Sequence, residues 1–489
     1  MKTPSYGPAL TALAASQFVV IMGTSIVNVA LPAVQEGIGL ADSGMSWVVN
    51  AYGLAFGALL LIGGRVADLL GRRRLLLGGL ALCTVSSLAA GLATEPWSLL
   101  TARALQGVGA AAAAPASLAL LLHLFPPGPG RGRALGVWGA VSGAGGAAGV
   151  VIGGLLTESW GWPSIFHVSA AGTLLALVAT VLLVDAGPAD ARAGGRLDLT
   201  GTLTMSLGLT TLIYGLTAAS DFGWSSWPVL ASLAAGAVLL TSFGIIESRH
   251  PAPLLPPRLL AQGLVTPTNL IMALFGAIWL GMFFFLPVYQ QRVLGAGPLE
   301  TGLSQLPLAA TNIAGSVLAP RLARRFGPYV TLGASLGALA AGLLWLGRIS
   351  ADGGYVGNLL GPVVVIGLGS GIAFVQLTGL AVTGVRPADT GLASGLVNAT
   401  RQLGSTVGLA LLTTLAASAT ASSHGDPAET LTDGYRAAFL VCGAVVTLTA
   451  LAVPLLARRV RRQAAAAATT TDRTDTARTA PKFPQPAAR

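Results

Sequence analysis

The sequence predicts an all-α integral membrane protein of fourteen spans, and three observations carry that prediction. Of 489 residues, 53% are hydrophobic and only 9% are charged, far less charge than a soluble surface needs. Uninterrupted apolar stretches recur along nearly the whole chain, each close to the roughly 20 residues that a helix needs to cross a bilayer. They lack the alternation of membrane-barrel strands. Lipid offers no partner to an open backbone, so each stretch must close its hydrogen bonds as a helix. Thirdly, the basic residues gather in alternate loops.

Taken in order, the spans fall near 9–33, 45–66, 74–93, 97–122, 132–157, 163–184, 199–218, 226–247, 266–291, 300–320, 328–347, 356–381, 391–418 and 435–457. The first, from Ala9 to Leu31, is too long for a signal-peptide core and lacks a convincing cleavage site, so it is read as a span. With both termini inside, the inward loops and the tail hold 23 of the 28 basic residues, among them Arg65, Arg72, Arg73, Arg74, Arg321, Arg324 and Arg325. Only Arg292, Arg348 and Arg436 fall outside, while Arg103 and Arg401 lie within spans. Basic residues near span ends are retained in the cytoplasm, which sets the expected orientation in a bacterial inner membrane with cytoplasmic termini. Glu36, Glu95, Glu158, Glu300 and Asp352 are among the acids that fall outside. The pI of about 10.4 is therefore a signal of topology and not of nucleic-acid binding. Cys83 and Cys442 sit in apolar stretches with no metal-ligand or redox neighbours and read as packing residues.

An internal repeat organises the spans. Gly64-Arg65-Val66-Ala67-Asp68-Leu69-Leu70-Gly71-Arg72 follows span 2, and Pro320-Arg321-Leu322-Ala323-Arg324-Arg325-Phe326-Gly327-Pro328 follows span 10. Arg, Ala and Gly recur at the same offsets, which points to two duplicated halves of six spans enclosing a site between them. The expected division is an N-terminal bundle over 1–184, two inserted spans with linkers over 185–260, a C-terminal bundle over 261–457, and a disordered tail over 458–489 rich in Ala and Thr.

Several motifs resemble the major facilitator superfamily, specifically its fourteen-span drug–proton antiporter branch. Gly64-x-x-Ala67-Asp68-x-x-Gly71-Arg72-Arg73 is similar to the family's loop signature between spans 2 and 3. Leu99-x-x-x-Arg103-x-x-Gln106-Gly107 is similar to its span 4 signature, and Thr24-Ser25-Ile26-Val27-Asn28-Val29-Ala30-Leu31-Pro32 closes span 1 as in that branch. Leu286-Pro287-Val288-Tyr289-Gln290-Gln291 and Ala393-Ser394-Gly395 with Asn398, Arg401, Gln402 and Gly404 resemble its second half. The resemblance spans residues 10–457. It implies two six-helix bundles with two inserted helices, and efflux of drugs or antibiotics in exchange for protons.

The same resemblance implies roles for residues. Gly64, Asp68, Gly71 and Arg72 would form a latch that holds one alternating-access state, since a carboxylate there can pair with Arg or with a helix N-terminus of the other half. Arg103 would take part in proton transfer. A guanidinium inside lipid is costly, so Arg103 must in any case face the bundle interior, beside Gln106 and Gly107. Arg401 and Gln402 offer a second such pair, and Asn28 joins this pathway. Gln290, Asn312, Gln376 and Asn398 are cavity candidates, with Asn269 a further amide. Gly149, Gly153 and Gly154 give span 5 a small face for close helix packing.

Two departures bear on mechanism. Val150 stands where the family's span 5 signature has Pro, and Gly23 stands where the branch usually has Asp, five residues before Asn28. No span carries a carboxylate in its middle, although proton coupling usually needs a buried acid or His. His123, His167, Glu36 and Glu300 are the remaining titratable candidates. Without a buried acid the interior suits neutral or anionic solutes. No cofactor or metal site is implied, and no Walker, triad or zinc pattern suggests an enzyme. The expectation is therefore an exporter of small molecules, a monomer as the resemblance implies, with a differently coupled facilitator as the alternative and a channel or sensor as a remote one.

Overall fold

The computed structural model describes residues 7–125, 129–184, 199–250, 253, 257–385 and 390–479, and they form helices joined by short turns. In chain order these are α1 (Gly7–Ile38), α2 (Asp42–Leu70), α3 (Arg72–Gly91), α4 (Pro96–Leu124), α5 (Pro129–Trp160), α6 (Pro163–Leu183), α7 (Leu199–Phe222) and α8 (Trp227–Arg249). There follow a short α9 (Pro257–Leu260), α10 (Val265–Arg292), α11 (Pro298–Ser304), α12 (Leu306–Phe326), α13 (Pro328–Leu346), α14 (Gly361–Ala381), α15 (Thr390–Ser422) and α16 (Pro427–Thr479). The fourteen predicted spans are all present, in order.

Three differences from the predicted elements have local causes. Span 10 is broken at Gln305 into α11 and α12, because Pro307 has no N–H and its ring crowds the carbonyl four residues back. Span 12 opens with a π-helical turn, Tyr355–Leu360, before α14. The tail, expected to be disordered from Arg458, continues as helix to Thr479. Ala464 to Ala468 explain the helical start of that tail, since alanine has the most favourable helix propensity.

Two glycines mark the duplication in the backbone itself. Gly71 precedes α3 with φ 94° and ψ 129°, and Gly327 precedes α13 with φ 85° and ψ 155°. Each carbonyl accepts from the N–H four residues on, Leu75 and Thr331, at 3.1 Å. Residues with a Cβ avoid this region, so the repeated Gly is required by the repeated turn. The packing repeats as well. In the first half α1 packs on α5, α4 on α2 and α3, and α3 on α6; in the second, α10 packs on α15, α14 on α12 and α13, and α13 on α16.

The inserted helices α7 and α8 form a hairpin beside the seam between the halves, with α7 touching both α2 and α15. Trp47 and Tyr214 approach with ring centroids 6.0 Å apart. Thr414 Oγ1 donates to the Leu216 carbonyl at 3.0 Å. The perimeter is apolar, with Leu175, Leu182, Val238, Leu448 and Leu451 all well exposed, as lipid contact requires. Trp97, Trp160 and Trp227 are exposed at helix termini of one end, forming an aromatic belt where headgroups lie. That end also holds Glu36, Glu95, Glu158 and Glu300 and is the acidic end of the molecule. The opposite, basic end holds the Gly71 and Gly327 turns.

Replacing Gly327 with Ala should cost about 1–3 kcal/mol through the strained turn. Gly337→Ala, where a Cβ meets nothing within 4 Å, should be neutral or stabilising. Thermal unfolding of the two variants in detergent checks this, and equal midpoints would refute the assigned turn.

Candidate transport site

Arg103 is carried by the third turn of α4, and it is 1% exposed. Its Nε donates to the Val48 carbonyl of α2 at 2.9 Å, and its Nη1 donates to Gln106 Oε1 at 2.8 Å. The guanidinium also lies over the Tyr52 ring, 4.6 Å from its centroid. Gln106 passes the restraint on, donating from Nε2 to Ser87 Oγ of α3 at 2.7 Å. Gly107 explains why α2 and α4 approach so closely, since a Cβ there would collide with the Tyr52 carbonyl. Thus one amide, one ring and one carbonyl fix the cation, while Arg103 Nη2 stays buried without a protein partner.

Opposite, α15 lies against α2 and α10. A Cβ on Gly53 would sit 2.8 Å from Thr406 Oγ1, and one on Gly276 would strike the Arg401 carbonyl. These approaches turn Arg401 and Gln402 toward the space between the halves. A cavity of about 240 Å³ opens there. The first half contributes Asn28, Tyr52, Phe56 and Arg103 to its lining, and the second Trp279, Phe283, Gln305, Asn312, Arg401 and Gln402. No carboxylate is found among the described lining residues.

Of the residues singled out from the sequence, Asn28, Arg103, Asn312, Arg401 and Gln402 therefore share one cavity. Gln106 and Gly107 stand behind Arg103. The other amides lie elsewhere. Gln376 donates to the Ala319 carbonyl at 3.0 Å and acts in helix packing. Gln290 lines a second cavity, of about 430 Å³, near the acidic end with Glu300 and Tyr355. Asn269 donates to the Val265 carbonyl within its own helix. Asn398 is exposed. Of the titratable candidates, His123, His167 and Glu36 are exposed, and with Glu300 they fall outside the described lining of the central cavity. A Cβ at Gly23 would meet nothing within 4 Å.

The small face of α5 does two separate jobs. Side chains on Gly149 or Gly153 would collide with Ser25 and Ile26 of α1, whereas one on Gly154 would strike the Pro298 carbonyl of the other half. At the same end Leu299 N donates to Glu158 Oε2 at 2.9 Å, and Gln291 Nε2 donates to the Val29 carbonyl at 2.8 Å. Arg292 also bonds Gln35 across the seam. These contacts close the acidic end. At the basic end, Gly64 and Asp68 fall in the last turns of α2, but the Asp68 side chain, like Asp389, lies outside the described residues. Arg72 is half-buried beside Gly71. Its neighbour Arg73, read from sequence as a topology marker and as the end of the loop signature, donates to the Val184 and Val181 carbonyls at 2.7 and 2.9 Å, capping α6.

Tyr52, Gln305 and Trp279 were not singled out by sequence reasoning. Tyr52 stands one turn from Val48, so only the position of α4 marks it. Gln305 carried a weak signal, an amide two residues before a proline.

Two related six-helix bundles around a polar cavity, closed at one end and set in an apolar perimeter, define a secondary transporter of the alternating-access kind. The chain belongs to the Major Facilitator Superfamily, which its sequence matches over residues 13–409. It is a multi-pass membrane transporter and not an enzyme. It is 42% identical over 469 residues to the cephamycin export protein CmcT of Amycolatopsis lactamdurans, covering 94% of each chain. It is 39% identical over 454 residues to the puromycin resistance protein pur8 of Streptomyces alboniger, covering 90% of this chain and 89% of that one. The crystal structure of the peptide transporter POT in complex with sulfate superposes with a TM-score of 0.68 at 18% identity, covering 94% of this chain and 97% of that one. That likeness is one of fold.

Gly154→Leu should destabilise the closed acidic end by forcing α5 from α11, with overpacking of about 1–3 kcal/mol. Spin-label distances between the acidic ends of α5 and α11 should lengthen relative to the parent protein. An unchanged distance distribution would show that Gly154 does not set this closure.

Proposed function

We propose that the protein exports small organic molecules, antibiotics or natural products among them, by alternating access across a bacterial inner membrane. The observation that carries this reading is the central cavity between the two halves, closed at the acidic end. The names of the two relatives, one an export protein for cephamycin and one a resistance protein for puromycin, support export over uptake. The basic end is read as cytoplasmic from the distribution of Arg residues, which places the closed acidic end outside and the substrate's entry inside. The transport unit is read as a monomer.

In this reading the driving ion is the proton. Arg103, Gln106 and Asn28 lie on its pathway, and the Gly64, Asp68, Gly71 and Arg72 segment latches the basic end when the cavity faces outward. A second reading, export without proton exchange, is favoured by Gly23 and by the carboxylate-free described lining. Conformational bias then comes from substrate alone.

Inverted vesicles with an acid interior, monitored by a pH-quenched dye, separate the two. Adding a substrate should discharge the gradient if protons are exchanged, and Arg103→Ala vesicles should give no response. Labelled substrate that accumulates over an undisturbed gradient would discard the antiport reading. Absence of accumulation for a broad antibiotic panel would count against export itself.

A further inference from the structure

The central cavity combines aromatic and polar lining. Trp279 lies against Phe283 with centroids 4.8 Å apart and stacks on Phe275 at 6.1 Å. Leu280 and Ile313 extend this apolar wall. The polar part of the lining is unsatisfied. Arg103 Nη2 and Arg401 Nε are buried without hydrogen-bond partners. Both amide atoms of Gln305 are likewise unpartnered, and that residue is 3% exposed. The unmet donors Arg103 Nη2, Arg401 Nε and Gln305 Nε2 are costly to an empty protein and are satisfied by a ligand that brings acceptors, while Gln305 Oε1 and Asn28 Oδ1 stay open to a donor.

The sign of the missing partner follows from charge. An Arg side chain has donors only, and two of them line this cavity while its described lining holds no carboxylate. Both would repel a cationic ligand in a water-poor, low-dielectric space. Trp279 and Phe283 could attract a cation by its contact with a ring face, but that attraction is weaker than repulsion by two whole charges. A neutral ligand would leave both guanidinium groups without a counter-charge. A carboxylate or comparable monoanion answers both Arg groups and leaves its carbon skeleton to the aromatic wall. The volume, about 240 Å³, is below the roughly 300–1,000 Å³ of sites for drug-sized ligands, so the enclosed body is compact.

We propose that the central cavity binds organic monoanions, with one or two fused rings against Trp279 and Phe283 and the negative group between Arg103 and Arg401. As a statement about what is carried, it rests on the export reading above; as a statement about binding, it stands on the cavity alone.

The test is calorimetric titration of the purified full-length protein with three probes on one skeleton: 1-naphthylacetate, its methyl ester, and 1-naphthylethylamine. The acid should bind about tenfold or more tightly than the ester or the amine. Arg401→Gln should cut that preference severalfold, since only Arg103 then faces the anion, and Arg401→Lys should retain more of it. Because the preference is measured on the unaltered protein, a variant that fails to fold does not decide the matter. Equal binding of acid and ester, preference for the amine, a preference undiminished in Arg401→Gln, or no binding of the acid would each overturn the inference. Proteoliposomes loaded with labelled naphthylacetate then address transport separately. An acid that is bound by Arg401 yet never moved would sink the export reading and leave the anion site standing.

Discussion

A guanidinium held away from water needs a substitute for its hydration shell, and the first half of this protein is arranged around supplying one to Arg103. The cost of leaving such a cation uncompensated amounts to several kcal/mol. Three elements meet it together: the Val48 carbonyl and Tyr52 ring from α2, and Gln106 one turn along α4. Gln106 in turn fixes α3 through Ser87. The packing of α2, α3 and α4 is therefore coupled to the ligation of one side chain. Gly107 is part of the same device, because only a residue without a Cβ lets α2 come near enough for Tyr52 to reach the cation.

Compensation stops short of completion at the centre. Arg103 keeps one unbonded nitrogen, and Arg401, Gln305 and Asn28 likewise present buried atoms without partners. Unmet buried groups are uncommon in native proteins, and those lining this cavity border a space in which a solute can partner them. The contrast with Gln376 is instructive. That amide is as buried as its neighbours, yet it bonds the Ala319 carbonyl and its contribution is to hold α12 to α14. In a membrane interior an amide glues helices or meets a solute, and its partner decides which.

Movement between states must part the contacts that join the halves. Closure at the acidic end relies on Gly154 against Pro298, one carboxylate–amide bond from Glu158, and a few side-chain bonds such as Gln291 to Val29. Apolar packing also runs across the seam, since Val27, Leu31 and Val34 of the first half share one buried cluster with Phe275, Leu286 and Val288 of the second. The α7–α8 hairpin touches both α2 and α15, so it rides along the seam where the halves must turn.

The number and order of helices were legible in the sequence because lipid imposes one rule on every residue of a span, and that rule is local. The duplication was legible for a related reason: Gly71 and Gly327 each serve a backbone geometry that other residues avoid. Arg103 was legible as an interior residue, since a charge amid apolar neighbours has few places to go. Which helix faces which was not legible. Lipid-facing and core-facing sides are both apolar, so Leu175 on the perimeter and Leu80 in the core look alike along the chain. For the same reason Gln290, Asn312, Gln376 and Asn398 were indistinguishable amides, and only the fold sent Asn312 to the central cavity and the others elsewhere. Tyr52 and Gln305 gained their importance from partners far away in sequence. Local free energies of burial and backbone closure determined the class and the repeat; long-range packing, which no short segment encodes, decided the site.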